Sequence, residues 1–342
     1  MNQTELDNLQ WHAVDGNLIR GQGWKDEYRL SPFHRLPETL KAEIPPKLWE
    51  LGCQCAGQYI EFSSNSSNIY ARWELNSFEK RFPYMARLGI SGLDLYGRDG
   101  SGSWKWVGTV NGWDEEHPCD QFNDEPLDGS TREFRIYLPF MGEIKKLEVG
   151  TEGDLIFSDA SQRKPIAYYG TSIVHGAGVS RSGLSHASQL GRSLERELIN
   201  LGFSGHALCE IPIATAMGRL DPSLYIVDVL PNNGAKQLKD RLPRFLRLIR
   251  EARPKTPILL LGDRVFPDSS FLPERGIVYH RKNSQLELIY QELKDERFPK
   301  LHLYLHPDWF GPEGSSDGSH PNDLGATRMA EALVPIVRSI IG

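Results

Sequence analysis

The sequence predicts two domains in series: an antiparallel β-sandwich, jelly-roll-like, over residues 1–160, and a three-layer α/β domain built on a parallel sheet over residues 161–342. Three observations lead there. A chain of 342 residues exceeds the usual size of one domain. Before about residue 160 the apolar segments are short, alternate with polar residues and are separated by turns. From about residue 164 continuous apolar runs alternate with stretches of helical spacing, the pattern of a parallel sheet covered on both faces.

In the first part, "QYIEFSSNSSNIYARWEL" reads as two strands around a Ser/Asn turn. "SGLDLYGRDGSGSWKWVGTV" repeats the scheme: a strand, a turn rich in Gly and Asp, then an alternating Trp-Lys-Trp-Val strand. That alternation places at least one of Trp104, Trp106 and Trp113 in the core. "REFRIYLPF" and "IKKLEVG" complete the series, and no convincing amphipathic helix interrupts it.

In the second part, "KPIAYYG" is an apolar strand, followed by "SHASQLGRSLERELINLG", where Leu190, Leu194 and Leu198 fall at helical spacing. "LYIVDVL" suits a strand buried on both faces. Asp240 is a candidate cap for the next helix, with Leu242, Phe245, Leu246 and Ile249 on one face and Pro243 in its first turn. "PILLLGD" and "LHLYLH" are further strands, with "SQLELIYQELKDE" as the helix between them. The last helix carries Met329, Leu333, Ile336 and Ile340 in one stripe, and Pro335 is expected to kink or break it.

Charge restricts the partners. The formal net charge of −6 is uneven: 23 Lys and Arg against 22 Asp and Glu from residue 151 onward, and 16 against 23 before it. Neither part has the basic excess of a nucleic-acid binder. The basic stretch "KQLKDRLPRFLRLIREARPK" sets its cations opposite an apolar stripe, as a solvated helix face does. No run approaches the ~20 apolar residues of a membrane span. Four cysteines are too few for a disulfide scaffold, and "CQC" is not the spacing of a common zinc pair. The polar N-terminus lacks the apolar core of a secretory signal, so the expectation is a cytoplasmic protein, unless a leader has been trimmed.

"YYGTSIVHGAG" holds the residue that most invites chemistry. Ser172 follows directly on an apolar strand, and ligands of parallel sheets sit at the carboxyl ends of the strands. A serine nucleophile needs a base within hydrogen-bond reach and a group that orients that base. Among the ten histidines, His320 has the best setting. It lies in the polar loop "SSDGSHPNDLG", three residues after Asp317, a carboxylate able to hold its Nδ1–H and leave Nε2 free. Donors for an oxyanion are offered by Gly205, after the second strand, and by Asn232, after the third, although each also suits a plain turn role. The stretch is not a phosphate loop, since it has neither the lysine of GxxxxGK[ST] nor a G-x-G-x-x-G.

The ordered set "YGTS", "GFSG", "LPNN" and "DGSH", over about residues 166–341, resembles the four blocks of the SGNH (GDSL-type) hydrolases. "GLDLY", upstream, resembles the GxDLY segment of a β-domain that precedes some of them. The resemblance implies Ser172 as nucleophile, His320 as base and Asp317 as its orienting group. The Ser172 and Gly205 backbone N–H groups and the Asn232 amide would form the oxyanion hole. Two blocks depart from the pattern. Gly-Thr-Ser replaces Gly-Asp-Ser, and "LPNN" leaves a choice between Asn232, taken here, and Asn233.

Around this set, His175 is a candidate wall residue, His206 a loop residue able to approach the pocket, and Trp309 either a sugar platform or a packing residue. The implied activity is a serine esterase that removes a short acyl group, acetyl foremost, from a carbohydrate or similar polar alcohol, with no metal or organic cofactor. A lipid or thioester acylhydrolase is the rival within the class, and a non-catalytic sugar-binding protein the rival outside it. A homo-oligomer stays open.

Overall fold

The computed structural model describes residues 8–78, 83–111, 119–305 and 308–342. Trp113 lies outside them. Among the described residues the first part contains ten strands: β1 (Gln10–Ala13), β2 (Ile19–Arg20), β3 (Tyr59–Ser64), β4 (Ile69–Phe78), β5 (Leu93–Arg98), β6 (Trp104–Val110), β7 (Asp120–Gln121), β8 (Arg132–Tyr137), β9 (Gly142–Thr151) and β10 (Leu155–Phe157). They form two antiparallel sheets, one in the order β1-β9-β4-β7, the other β10-β3-β8-β5-β6 with β2 beside β3. Ile60, Phe62, Leu93, Leu95, Phe134 and Ile136 of the second sheet meet Ile69, Ala71, Ile144, Leu147 and Val149 of the first in a dry core. Because side chains alternate along a strand, Tyr59, Asp94, Tyr96, Arg135 and Tyr137 point to the sheet's other face. They too are buried, because the α/β part covers them.

Two helices interrupt the strands where none was expected: α1 (Pro46–Cys53) and α2 (Arg87–Ser91). Both are too short to show an amphipathic repeat. Packing does not follow chain order either. Trp24, Leu36, Leu40, Leu48 and Leu51 join the core of the α/β part, and Trp24 Nε1–H donates to the Ala216 carbonyl at 2.9 Å. Neither described tryptophan of β6 is in the core: Trp106 is 53% exposed, and Trp104 lies half-buried against the guanidinium groups of Arg98 and Arg135. The ladder skips Val107 between the Leu95–Gly108 and Tyr96–Trp106 pairs, a bulge within this strand, and Val107, not either of these tryptophans, packs against the sandwich core.

The second part is one parallel sheet in the order β12-β11-β13-β14-β15, from β11 (Ile166–Gly170), β12 (Leu198–Gly202), β13 (Leu224–Asp228), β14 (Ile258–Leu261) and β15 (Leu301–Tyr304). Its helices are α3 (Ser172–His175), α4 (His186–Leu194), α5 (Ile211–Arg219), α6 (Ala235–Ala252), α7 (Pro273–Asp295) and α8 (Asp323–Ile341). Helices α5, α6 and α7 cover one face, on which Ala167, Tyr169, Tyr225 and Val227 sit. Helices α4 and α8 cover the other, on which Ile166, Tyr168 and Ile226 sit.

Three local expectations are corrected. Leu198 is the first residue of β12, because α4 ends at Leu194 and Glu195 turns the chain with a positive φ of 49°. Helix α6 starts at Ala235 and not at Asp240, capped where Gln237 Oε1 accepts the Gly234 N–H at 2.7 Å, so Pro243 is interior. Helix α8 runs unbroken through Pro335. In both helices the carbonyl left without a donor, four residues before the proline, belongs to an exposed residue, Lys239 or Glu331, and packing of the opposite face outweighs the loss. Among the described residues no helix is long and apolar enough to cross a membrane, and all four cysteines are unpaired.

Candidate active site

In the order 2-1-3-4-5 the first strand has its neighbours on opposite sides, so connections leave its carboxyl end in opposite directions and open a crevice. Gly170, the last residue of β11, lies level with Gly202 of β12 and Asp228 of β13. The residues that follow these three strand ends are Ser172, Gly205 and Asn232. The sheet register alone brings them to one edge.

Ser172 opens α3, where the first N–H groups have no carbonyl within the helix to bond. Its Oγ lies 2.9 Å from His320 Nε2, across 148 residues of sequence. His320 Nδ1 lies 2.7 Å from Asp317 Oδ2. Asp317 is itself oriented, because its Oδ1 accepts the backbone N–H groups of Ser319 at 2.9 Å and His320 at 2.8 Å. Partial burial pushes the Asp317 carboxyl upward. The hydrogen bonds from the backbone and ring of His320 outweigh it and hold the group below its ordinary value, so it stays ionised. An ionised acceptor at Nδ1 fixes the proton there and leaves the Nε2 lone pair toward the serine.

The loop with His320 is pinned to the serine turn by a second contact. Ser180 donates its N–H to Asp323 Oδ1 at 2.7 Å and its hydroxyl to Oδ2 at 2.6 Å. Gly178, at a φ of 98°, makes the approach possible, since a Cβ there would stand 2.4 Å from the Pro321 carbonyl and 2.9 Å from His320 Cβ. Gly205 has a φ of 74° and open space around it, which leaves its backbone accessible at the crevice. The two asparagines differ sharply. Asn233 is buried and spends its amide on the Ala207 and Val229 carbonyls, at 2.9 and 2.7 Å. Asn232 donates once, to the His206 carbonyl at 2.7 Å, and its second amide hydrogen has no partner among the described residues. That bond also ties the Asn232 loop to the Gly205 loop.

Two of the outlying candidates are placed elsewhere. His175 is fully buried, its Nε2–H donating to the Phe140 carbonyl at 3.0 Å and its Nδ1 accepting from the Ser204 N–H at 3.3 Å. Burial first, and the Arg35 charge second, hold it well below the ordinary histidine range. It braces the Gly205 loop and faces no substrate. Trp309 is also fully buried, edge-on to Tyr304 with ring centroids 5.6 Å apart and beside the Arg264 guanidinium, so it offers no platform to a sugar. His206 stays at the rim, its ring beside Glu210.

The contacts of several supporting residues could not be read from the sequence, although the "GLDLY" stretch itself stood out there. Arg35 is fully buried and gives its guanidinium to four carbonyls, those of Leu51, Gln54, Asn200 and Gly202, two of them at the end of β12. Burial pushes it down to about 9. Beneath the Asn232 loop, the buried Arg264 pairs with Asp228, and Lys282 donates to Asp263 at 3.1 Å and to the Pro231 carbonyl at 3.2 Å. Asp94 and Tyr96 of the "GLDLY" stretch both accept from Arg181, at 2.9 and 2.7 Å, and Asp94 also accepts the Gly183 N–H at 2.7 Å. The stretch therefore latches the sandwich to the segment that follows the serine turn. Among the described residues one group has the spacing of metal donors, His34, Cys53 and Glu143, within 4.8 Å of one another. There His34 Nε2 already meets Glu143 at 3.0 Å, and burial pushes the Cys53 thiol up to about 12, a protonated form that binds metal poorly.

Fold and crevice define a three-layer α/β domain with a serine, a histidine and a carboxylate in contact at one edge of its parallel sheet. Residues 163–338 match the GDSL-like lipase/acylhydrolase family, and residues 9–157 match the GxDLY domain, the N-terminus of SGNH-hydrolase-type esterases. The chain belongs to the GDSL-like lipase/acylhydrolase family and is an ester hydrolase. Among solved structures it is similar to a GDSL-like lipase from Bacteroides ovatus, with 27% identity and a TM-score of 0.88 over 97% of this chain and 98% of that one. The salicylyl-acyltransferase SsfX3 of a tetracycline biosynthetic pathway shares 18% identity at a TM-score of 0.75, over the same shares of the two chains. An acetyl xylan esterase from Butyrivibrio proteoclasticus shares 11% at 0.57, again over 97% and 98%. No curated protein matches the sequence.

Proposed function

We propose that the protein is a serine esterase that removes short acyl groups, acetyl first among them, from a carbohydrate or similar polar alcohol through an acyl-enzyme on Ser172. The observation that carries the reading is the chain of contacts from Ser172 Oγ to His320 Nε2 and from Nδ1 to Asp317, at 2.9 and 2.7 Å. In the first half-reaction Oγ bonds to the ester carbonyl carbon while its proton passes to Nε2. The carbonyl oxygen becomes an oxyanion beside the N–H groups of Ser172 and Gly205 and the second amide hydrogen of Asn232. Collapse of this intermediate expels the alcohol, which takes the proton from Nε2. Water then gives a proton to Nε2 as its oxygen bonds to the acyl carbon; the bond from Oγ to that carbon breaks, Oγ takes the proton back from Nε2, and the acid leaves with Ser172 and His320 restored.

The acetyl and carbohydrate parts are supported by the company the fold keeps. It is shared with the acetyl xylan esterase and with a family two carbohydrate esterase from Clostridium thermocellum, solved with cellohexaose. The test is a screen of acetylated sugars together with an acyl chain-length series, with Ser172→Ala as control and a fluorophosphonate probe for the nucleophile. The expected result is hydrolysis of acetyl esters, loss of roughly 10⁴–10⁶ in kcat for Ser172→Ala, and labelling of wild type only. Preference for acyl groups longer than about four carbons would discard the acetyl assignment, and unchanged activity in Ser172→Ala would discard the mechanism.

A further inference from the structure

The imidazole of His320 has two edges and two faces. Its edges are occupied by Ser172 and Asp317. One face is covered by Tyr84, a residue of the sandwich part: the two rings are stacked with centroids 4.8 Å apart and planes inclined by only 10°. No other described aromatic ring contacts His320, and this one arrives from the opposite half of the chain.

Tyr84 is held there by the seam between the two parts. With Met85 it packs on a buried cluster to which the sandwich part contributes Ile90, Phe140 and Met141, and the α/β part Ala177, Val179 and Ala326. Helix α2 begins three residues later, and Phe140 N–H donates to its Gly89 carbonyl at 3.0 Å. The ring is half-buried. Burial first, and the nearby Asp317 charge second, push its hydroxyl above the ordinary tyrosine value, so the ring facing His320 is a neutral phenol.

We propose that Tyr84 is a positioning residue that acts through His320: its π face holds the imidazole in the plane joining Asp317 to Ser172 and favours the cation that the ring becomes during acyl transfer. The proposal rests on the reading of His320 as the base. A neutral imidazole gains little from an aromatic face, whereas an imidazolium gains about 0.5–2 kcal/mol, more when water is excluded. The gain therefore appears as the proton leaves Ser172, not in the resting enzyme, and lowers the barrier without tightening substrate binding. In this way the sandwich takes part in the chemistry of a site otherwise built by the other half of the chain.

The test replaces Tyr84 in the full-length protein. Tyr84→Leu, which keeps bulk and removes the π face, is expected to lower kcat on a short-chain aryl ester about 3- to 30-fold with KM little changed. Tyr84→Phe is expected to restore kcat to within about twofold of wild type. Should Tyr84→Leu melt far below wild type, the deciding measurement is a series of phenylalanines at position 84 carrying one, two and three ring fluorines. These keep ring size while weakening the π face in steps, and log kcat is expected to fall stepwise with fluorine count. A flat fluorine series, or a Tyr84→Phe as slow as Tyr84→Leu, overturns the proposal. Ser172→Ala is measured in parallel. If it stays active, the reading of the site has failed. If it is inactive while Tyr84→Leu keeps the wild-type kcat, only the role of Tyr84 has failed.

Discussion

Two histidines meet the serine turn from opposite sides, and their surroundings are opposites. His175 lies on the inner side, three residues from Ser172, fully buried and bonded through both ring nitrogens to the frame. His320 lies on the outer side, 148 residues away, partly accessible, with one nitrogen on a carboxylate and the other on the serine hydroxyl. Nearness in sequence produced a brace, and distance in sequence produced the candidate base. A histidine is free to exchange protons only where its bonds leave one nitrogen facing a reacting group. Where both nitrogens are committed to backbone, it is a structural part.

The sharpest way to break this contrast is to remove each ring. His320→Ala is expected to lower kcat by roughly 10⁴–10⁶ at nearly unchanged melting temperature. His175→Leu is expected to lose about 2–4 kcal/mol of stability in urea unfolding, because the Phe140 carbonyl and Ser204 N–H are left buried without partners. The reverse pattern, an inactive stable His175→Leu beside an active His320→Ala, would exchange the two roles.

Next in size, Asp317→Asn is expected to slow turnover by roughly 10²–10⁴, since an amide no longer holds the Nδ1 proton in place. The adjacent asparagines give a similar contrast on a smaller scale. Asn232→Ala should lose roughly 10²–10³ in kcat, as for one oxyanion donor. Asn233→Ala should cost about 1–3 kcal/mol of stability, from the carbonyls it leaves unbonded. Equal kcat losses in the two would remove the distinction drawn from their amide partners.

The smallest effect is on pH dependence. His175 is held well below its ordinary value, and His186 is pushed down to about 3, in both cases by burial first and then by a neighbouring guanidinium, Arg35 or Arg264. Folded, each stays neutral. Unfolded, each takes up a proton below about pH 6.5, so the unfolded chain binds more protons and stability falls as pH falls. Between pH 6.5 and 5 the expected slope approaches about 1.4 kcal/mol per pH unit for each histidine. His186→Gln should reduce it by about one proton, read from unfolding free energies across that window. An unchanged slope would mean that His186 already titrates in the folded protein.

Much of this protein was legible in advance, and the reason is locality. A strand buried on both faces must read as an apolar run, as "IAYYG" and "LYIVD" do, and a serine directly after such a run must emerge at the sheet's carboxyl edge. The blocks around Ser172, Gly205, Asn232, Asp317 and His320 were visible because each is short and tied to one strand end or one loop. Local reading failed where packing overruled propensity, at Pro243 and Pro335 inside long helices, and where a strand followed a helix without a break in the leucine spacing, at Leu198.

What only the tertiary structure decided is which groups meet across long separations. No periodicity in the sequence announces that Tyr84 stacks on His320, that Arg35 collects carbonyls at the end of β12, or that Asp94 and Tyr96 grip Arg181. Nor does it show that Trp309 is sealed in the core while Gly205 stands open. Strand and turn preferences act over a few residues, so the sequence by itself determined the sheet edges and the chemistry delivered to them. Contacts between distant segments depend on how two sheets twist and dock, and only the folded chain settled which faces of the candidate site are open and which are walled by the sandwich.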